Sequence, residues 1–244
     1  MSRMSRNATI AIWYNDYVMP TQSDATGRYF KYPKTPHLPY SPHYDTRDDL
    51  KWANVDPLMG KRVVITEKLD GENTSLYRDK IHARSIDSAY HPSRAWVKAL
   101  HGRIAHEIPV GWRICGENLY ATHSIHYDTL PSYFMVFAVF DDSNVCLSWK
   151  DTCDLAGLLQ LEIVPILYQG LFESAPIGSL IERGSSFGPV AEGFVIRNES
   201  AFPYSEFTQH VVKYVRPHHV TTDEHWMKQT IIPNGLSEAS HLTR

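Results

Sequence analysis

Arg62-Val63-Val64-Ile65-Thr66-Glu67-Lys68-Leu69-Asp70-Gly71 is the stretch from which the rest of the chain is read. Four β-branched residues in a row predict a buried strand running from Arg62 to Lys68. The strand ends in a lysine beside a carboxylate and just ahead of a glycine. A lysine held there faces a pocket. Partly desolvated, or set beside other cations, its amine loses a proton and becomes a nucleophile. Gly71 lets a backbone or a ligand come close. The same letters also read as a surface strand end closed by an Asp-Gly turn.

The 244 residues suffice for one large domain, or one domain with a small appendage. With 43% hydrophobic and 21% charged residues, the composition is that of a soluble globular protein. No apolar stretch reaches the length of a membrane span, and Met1 to Arg6 lacks the apolar core of a secretory signal. Cys115, Cys146 and Cys153 are scattered with no CxxC pair, which predicts a reducing compartment, the cytoplasm, and argues against a zinc site. The net charge of −3 means that any nucleic-acid contact needs a local basic surface.

Along the chain, prolines from Pro33 to Pro42 make an extended loop, and Asp45 to Asp49 reads as a helix start or exposed turn. Thr74 to Tyr77 and Ile81 to Arg84 flank a hairpin turn at Arg78-Asp79-Lys80. Ser93 is expected to cap a helix whose stripe is Trp96, Leu100 and Ile104. Trp112 to Cys115 and Tyr133 to Phe140 read as strands, the second buried and central. Asp151 opens a second helix, Ile163 to Tyr168 returns as strand, and Ser174 caps a short third helix. Gly193 to Arg197 and His210 to Val215 are the last strands, and Thr221/Glu224 fits a capping box. Strands dominate, with helices packed outside, so the expected class is an antiparallel-rich α+β fold.

Seven features follow one another in order: Lys68-Leu69-Asp70-Gly71, Asn73, Arg84, Glu117 in Gly-Glu-Asn-Leu-Tyr, Phe140-Asp141, Glu192-Gly193-Phe194-Val195, and Lys213. Together they resemble the ordered motifs of the covalent nucleotidyltransferase superfamily, the polynucleotide ligases and messenger-RNA capping enzymes. The KxDGxN pattern of Lys68, Asp70, Gly71 and Asn73 is most similar to the RNA ligase family typified by the second RNA ligase of T-even phages.

That resemblance implies a nucleotidyltransferase (ligase adenylation) domain over 61–216, with residues 1–60 as an arm packing on it and 217–244 as a short helical tail. The tail is too short for the OB domain of DNA ligases and capping enzymes. It implies an ATP-dependent RNA ligase in which Lys68 attacks the α-phosphate of ATP to form lysyl-AMP. AMP then passes to an RNA 5′-phosphate, which is sealed to a 3′-hydroxyl, in nicked duplex, by a monomer. The alternatives are another enzyme of the same fold, a DNA ligase or GTP-using capping enzyme, or a non-catalytic nucleotide- or RNA-binding homologue.

By the same resemblance Lys213 and Arg84 supply positive charge to the phosphates, together with magnesium or manganese. Glu117, Glu192 and Asn73 reach the ribose or metal-bound water. Glu67 and Gly71 line the nucleotide site. Asp70 either fixes the loop or contacts ribose. Phe140 stacks on adenine, or Phe137 if the strand register differs. One departure stands out: such ligases carry two lysines one residue apart in the last motif, whereas here Lys213 has Val211 and Val215 around it and Arg216 as a substitute. Arg28, Tyr29, Lys31, Lys34, His37 and Tyr40 form either a strand-binding surface or part of a packed arm. His218, His219 and His225 read as surface or tail-packing residues.

Overall fold

The computed structural model describes residues 29–42, 49–217 and 230–238. Strand β1 (Arg62–Lys68) carries the β-branched run, with Val63 to Glu67 all buried. It lies between β8 (Ile166–Leu171) and β9 (Gly193–Asn198), and β11 (Val211–Val215) completes a sheet in the order β11-β9-β1-β8. The second sheet runs β10 (Phe202–Pro203), β6 (Val145–Cys146), β5 (Phe134–Phe140), β4 (Arg113–Asn118), β2 (Glu72–Leu76), β3 (Ile81–Ala83). Strand β7 (Glu162–Ile163) pairs β5 in parallel, and the other strand pairs are antiparallel. The class is therefore antiparallel-rich α+β, as the sequence predicts.

The strand expected over Ile163 to Tyr168 is divided between the sheets. Glu162 and Ile163 pair with β5, while Ile166 onward pairs with β1. Pro165 has no N–H for a ladder, so the chain changes sheet there, and the Pro165 carbonyl accepts from Glu67 N instead (2.9 Å).

Helices α1 (Ala95–Ile104) and α2 (Trp149–Leu158) lay Val97, Leu100, Ile104 and Leu155 on Ile114, Phe134, Val136 and Val139 of the large sheet. Their starts differ from expectation. A 3-10 turn, Pro92–Arg94, leads into α1, and the His91 ring rather than Ser93 accepts at its cap. Ser148 rather than Asp151 caps α2, its Oγ accepting from Asp151 N (3.1 Å). Ser174 closes a 3-10 turn, and α3 (Ile177–Glu182) starts after Pro176 without a side-chain cap.

Between β4 and β5 the register shifts, Cys115 facing Ala138 and Gly116 facing Val136, so Phe137 is an extra residue in a bulge. The bulge overturns simple alternation. Phe134 packs on the helical side, while Phe137 and Phe140 both turn toward the cluster of Cys115, Phe202 and Phe207.

The arm joins the smaller sheet. Leu38 N donates to Lys213 O and Lys213 N to Pro36 O, each at 2.8 Å, and Leu38 is fully buried against Val212 and Ile196. His37 is buried too, hydrogen-bonding Ser41 Oγ (3.2 Å), so it belongs to the packed arm and not to a strand-binding surface. Residues 230–238 run extended rather than helical, with Thr122 N donating to Ile232 O and Leu130 N to Gly235 O. Arg28, the turn at 45–48, the capping box at Thr221 and the three tail histidines lie outside the described residues. Among the described residues no helix is long and apolar enough to cross a membrane.

Candidate active site

Both sheets line a cavity of about 730 Å³ that takes in Lys68, Lys213, Arg84, Glu117, Asn73 and Glu67. Each is delivered by a strand. Lys68 ends β1 opposite Gly193, which puts Glu192 across from it. Lys213 is the middle residue of β11, opposite Val195. Asn73 and Glu117 face one another across β2 and β4. Arg84 follows β3 on an exposed stretch. Gly71 passes so near β4 that an added Cβ would stand 2.7 Å from Asn118 O and 2.9 Å from Glu117 Cγ, so no larger residue fits there.

The Lys68 ammonium donates to both Glu192 oxygens at 2.6 Å. Burial pushes the Lys68 amine down, but the negative charges of Glu192, Glu117 and Asp70 outweigh burial and hold it above its ordinary value. Lys213 takes the opposite course. Its burial, followed by the neighbouring Lys68 charge, lowers it to about 8. Burial raises Glu117 to about 8 against the pull of Lys68, with Glu192 and Asp70 adding to the rise. Lys68 is thus held charged, Lys213 gives up its proton readily and Glu117 takes one up readily.

Several of the expected residues do not line the cavity. Phe140 is fully buried under the Arg113 guanidinium, 3.9 Å from its ring centroid, and does not line the cavity. The bulge brings Phe137 to the cavity instead, with Tyr32 of the arm edge-on to it at 5.0 Å. Asp70 does not line the cavity either. Its carboxylate accepts from Ser124 N (2.7 Å) and Ile125 N (2.8 Å), so in this structure it ties the strand end to the 119–130 loop. Arg216 turns away from the cavity, its N–H donating to Glu192 O (3.0 Å) and its guanidinium to the Arg183 carbonyl. Glu67 is buried, and its carboxylate accepts from Ser185 Oγ and from Ser186 N (2.9 Å).

Sequence reasoning missed Arg94. It forms one cavity wall as a two-pronged pair with Glu72, at 2.5 and 2.6 Å, both side chains nearly buried. Nothing in Pro92-Ser93-Arg94 announces this, because the partner lies on β2. Tyr32 and Arg197 are further cavity residues whose neighbours come together only in the fold.

The residues suit a divalent cation held through water. Asn73 Oδ1 is buried with no hydrogen-bond partner, Glu117 faces Asn73 across β2 and β4, and Glu192, Asp70 and Glu72 add negative charge near Glu117. Among the described residues no three His, Cys, Asp or Glu side chains converge to bind a metal directly.

The RNA ligase family model matches residues 61–215. No curated protein matches the chain. Among solved structures the chain is similar to an archaeal ATP-dependent RNA ligase, at 17% identity and a TM-score of 0.50 over 76% of this chain and 48% of that one. A variant of the Naegleria gruberi RNA ligase solved with ATP and Mn gives 17% identity and a TM-score of 0.46, over 65% of this chain and 50% of that one. A putative ATP-dependent DNA ligase from Aquifex aeolicus gives 21% and 0.43, over 65% and 44%. The archaeal likeness shows the fold, and the chain spans about half the length of the solved structures it matches.

Proposed function

The chain belongs to the RNA ligase family, and from that premise we propose that it is an ATP-dependent RNA ligase working through a lysyl-AMP intermediate on Lys68. The observation that carries this reading is the convergence of Lys68, Lys213, Arg84, Glu117 and Asn73 on one cavity with Glu192 paired to the lysine. Lys68 must be neutral to attack, and Glu192, already accepting its protons, is the group placed to take one. The amine then forms a P–N bond with the α-phosphorus of ATP while the bond to pyrophosphate breaks. Lys213 and Arg84 offset the charge that builds on the phosphate oxygens. In the second step an RNA 5′-phosphate oxygen takes AMP and Lys68 leaves. In the third a 3′-hydroxyl attacks that phosphate and AMP leaves.

Glu117, Glu192 and Asn73 would hold magnesium or manganese through water. When bound, that ion neutralises phosphate charge and favours departure of pyrophosphate. Phe137 and Val195, which both line the cavity, would hold the base.

The test is incubation with labelled ATP or labelled GTP and magnesium, followed by a denaturing gel. Labelled adduct from ATP that is lost in Lys68→Ala is the expected result. Adduct from GTP alone moves the reading to capping. Absence of adduct from both, in protein shown to be folded and not already adenylylated, overturns it. Sealing of nicked duplex RNA, compared with nicked DNA and single strands, then identifies the strand.

A further inference from the structure

The Lys68-Leu69-Asp70-Gly71 turn is gripped from outside its own sheet. Asp70 N donates to the Tyr127 hydroxyl (2.9 Å), and the Asp70 carboxylate accepts from Ser124 N and Ile125 N. All three partners sit in the loop between Leu119 and Leu130, which has no strand of its own to shape it.

The extended segment 230–238, beyond the residues matched by the family model, shapes that loop. Asn234 is buried, and every polar group it owns is engaged. Its Oδ1 accepts from Thr122 Oγ1 (3.0 Å) and Tyr127 N (2.9 Å), and its Nδ2 donates to Leu119 O (2.8 Å). Its N–H donates to Tyr120 O (3.0 Å), and its carbonyl accepts from the Tyr133 hydroxyl (2.8 Å). Next to it, Gly235 N donates to Tyr127 O (2.7 Å), at a position where a Cβ would lie 2.3 Å from Asp128 O.

We propose that Asn234 is a positioning residue for Lys68: it holds the 119–130 loop in the one shape that lets Tyr127 and the Ser124 and Ile125 amides fix Asp70, and with it the strand end that carries the lysine. The inference rests on the reading of Lys68 as nucleophile. Its physical basis is twofold. A buried amide that loses its side chain leaves the Tyr127 N–H and the Leu119 carbonyl without partners, so the loop must rearrange. Attack on phosphorus tolerates little displacement of the nucleophile.

The experiment compares Asn234→Ala, Tyr127→Phe and, as a control, Ile232→Ala, whose exposed side chain takes no part. In the full chain we measure the maximal rate of adduct formation, KM for ATP, melting temperature and amide exchange over 69–71 and 120–127. Asn234→Ala is expected to slow the maximal rate about ten- to a hundredfold with KM near that of wild type, and to speed exchange in both segments. Tyr127→Phe, which removes one hydroxyl, shifts the rate in the same direction without loss of fold, and Ile232→Ala matches wild type. Wild-type rates in both test variants overturn the proposal. So does a loss in Asn234→Ala that vanishes once rates are normalised to folded protein. If wild-type protein forms no adduct, the ligase reading falls by itself. Exchange then decides: unchanged protection of 69–71 in Asn234→Ala overturns the positioning, and faster exchange sustains it.

Discussion

At Lys213 a single side chain shows how burial and charge are set against each other. The amine lines the cavity near Lys68, and burial with that neighbour brings it down to about 8 from an ordinary 10.5. The folded chain therefore releases this proton at lower pH than the unfolded chain does. Between about pH 8 and 10.5 the unfolded state binds more protons, so this residue's contribution makes stability rise with pH across that interval. Below pH 8 the charge is present and costs stability. Lys213→Met is thus expected to melt higher than wild type at pH 7, with the advantage shrinking toward pH 10. The same variant should form adduct about a hundredfold more slowly, and melting curves at the two pH values beside adduct rates check both halves. Motif order made Lys68, Glu117, Glu192 and Lys213 legible as residues. The Lys68–Glu192 pair was not legible, because 124 positions separate its members and only adjacent strands bring them to 2.6 Å.

The bulge in β5 is the clearest lesson at the scale of elements. An apolar run from Phe134 to Phe140 announces a buried strand, but alternation gives no warning of an inserted residue. The insertion decides which phenylalanine meets the cavity. Phe137→Ala is expected to raise KM for ATP about tenfold through lost stacking, with little loss of stability. Phe140→Ala is expected to cost about 3–5 kcal/mol of folding free energy, because that ring is fully buried beneath Arg113. Urea titrations and ATP-dependence of adduct formation separate the two, and a result with the roles exchanged sinks the assignment. Helix starts show the same limit in milder form: Ser93 has the right chemistry for a cap, but Pro92 and Arg94 set a 3-10 turn first.

For the whole molecule, the arm lines the cavity through Tyr32, Pro33 and Thr35, and residues 230–238 pack on the 119–130 loop. Leu38 fills the core beside Val212, Pro36 and Leu38 pair with Lys213, and Asn234 and Leu236 pack against the loop that holds Asp70. A chain cut to residues 61–217 is expected to unfold at lower denaturant concentration and with a shallower transition than the full chain, since its edge strand and two apolar clusters are uncovered. A cut chain as stable and cooperative as the full one would refute that dependence. What the sequence by itself determined is the family and its first strand: a β-branched run into Lys-Leu-Asp-Gly, followed in order by the acidic and basic motifs, specifies both the strand and the lysine at its end, because local pattern governs both. What only the tertiary structure decided is which groups gather around the cavity that holds that lysine. The Glu192 pairing, the aim of Phe137, the Arg94–Glu72 wall and the Asn234 clamp all depend on contacts between residues distant in the chain, and no local propensity encodes those contacts.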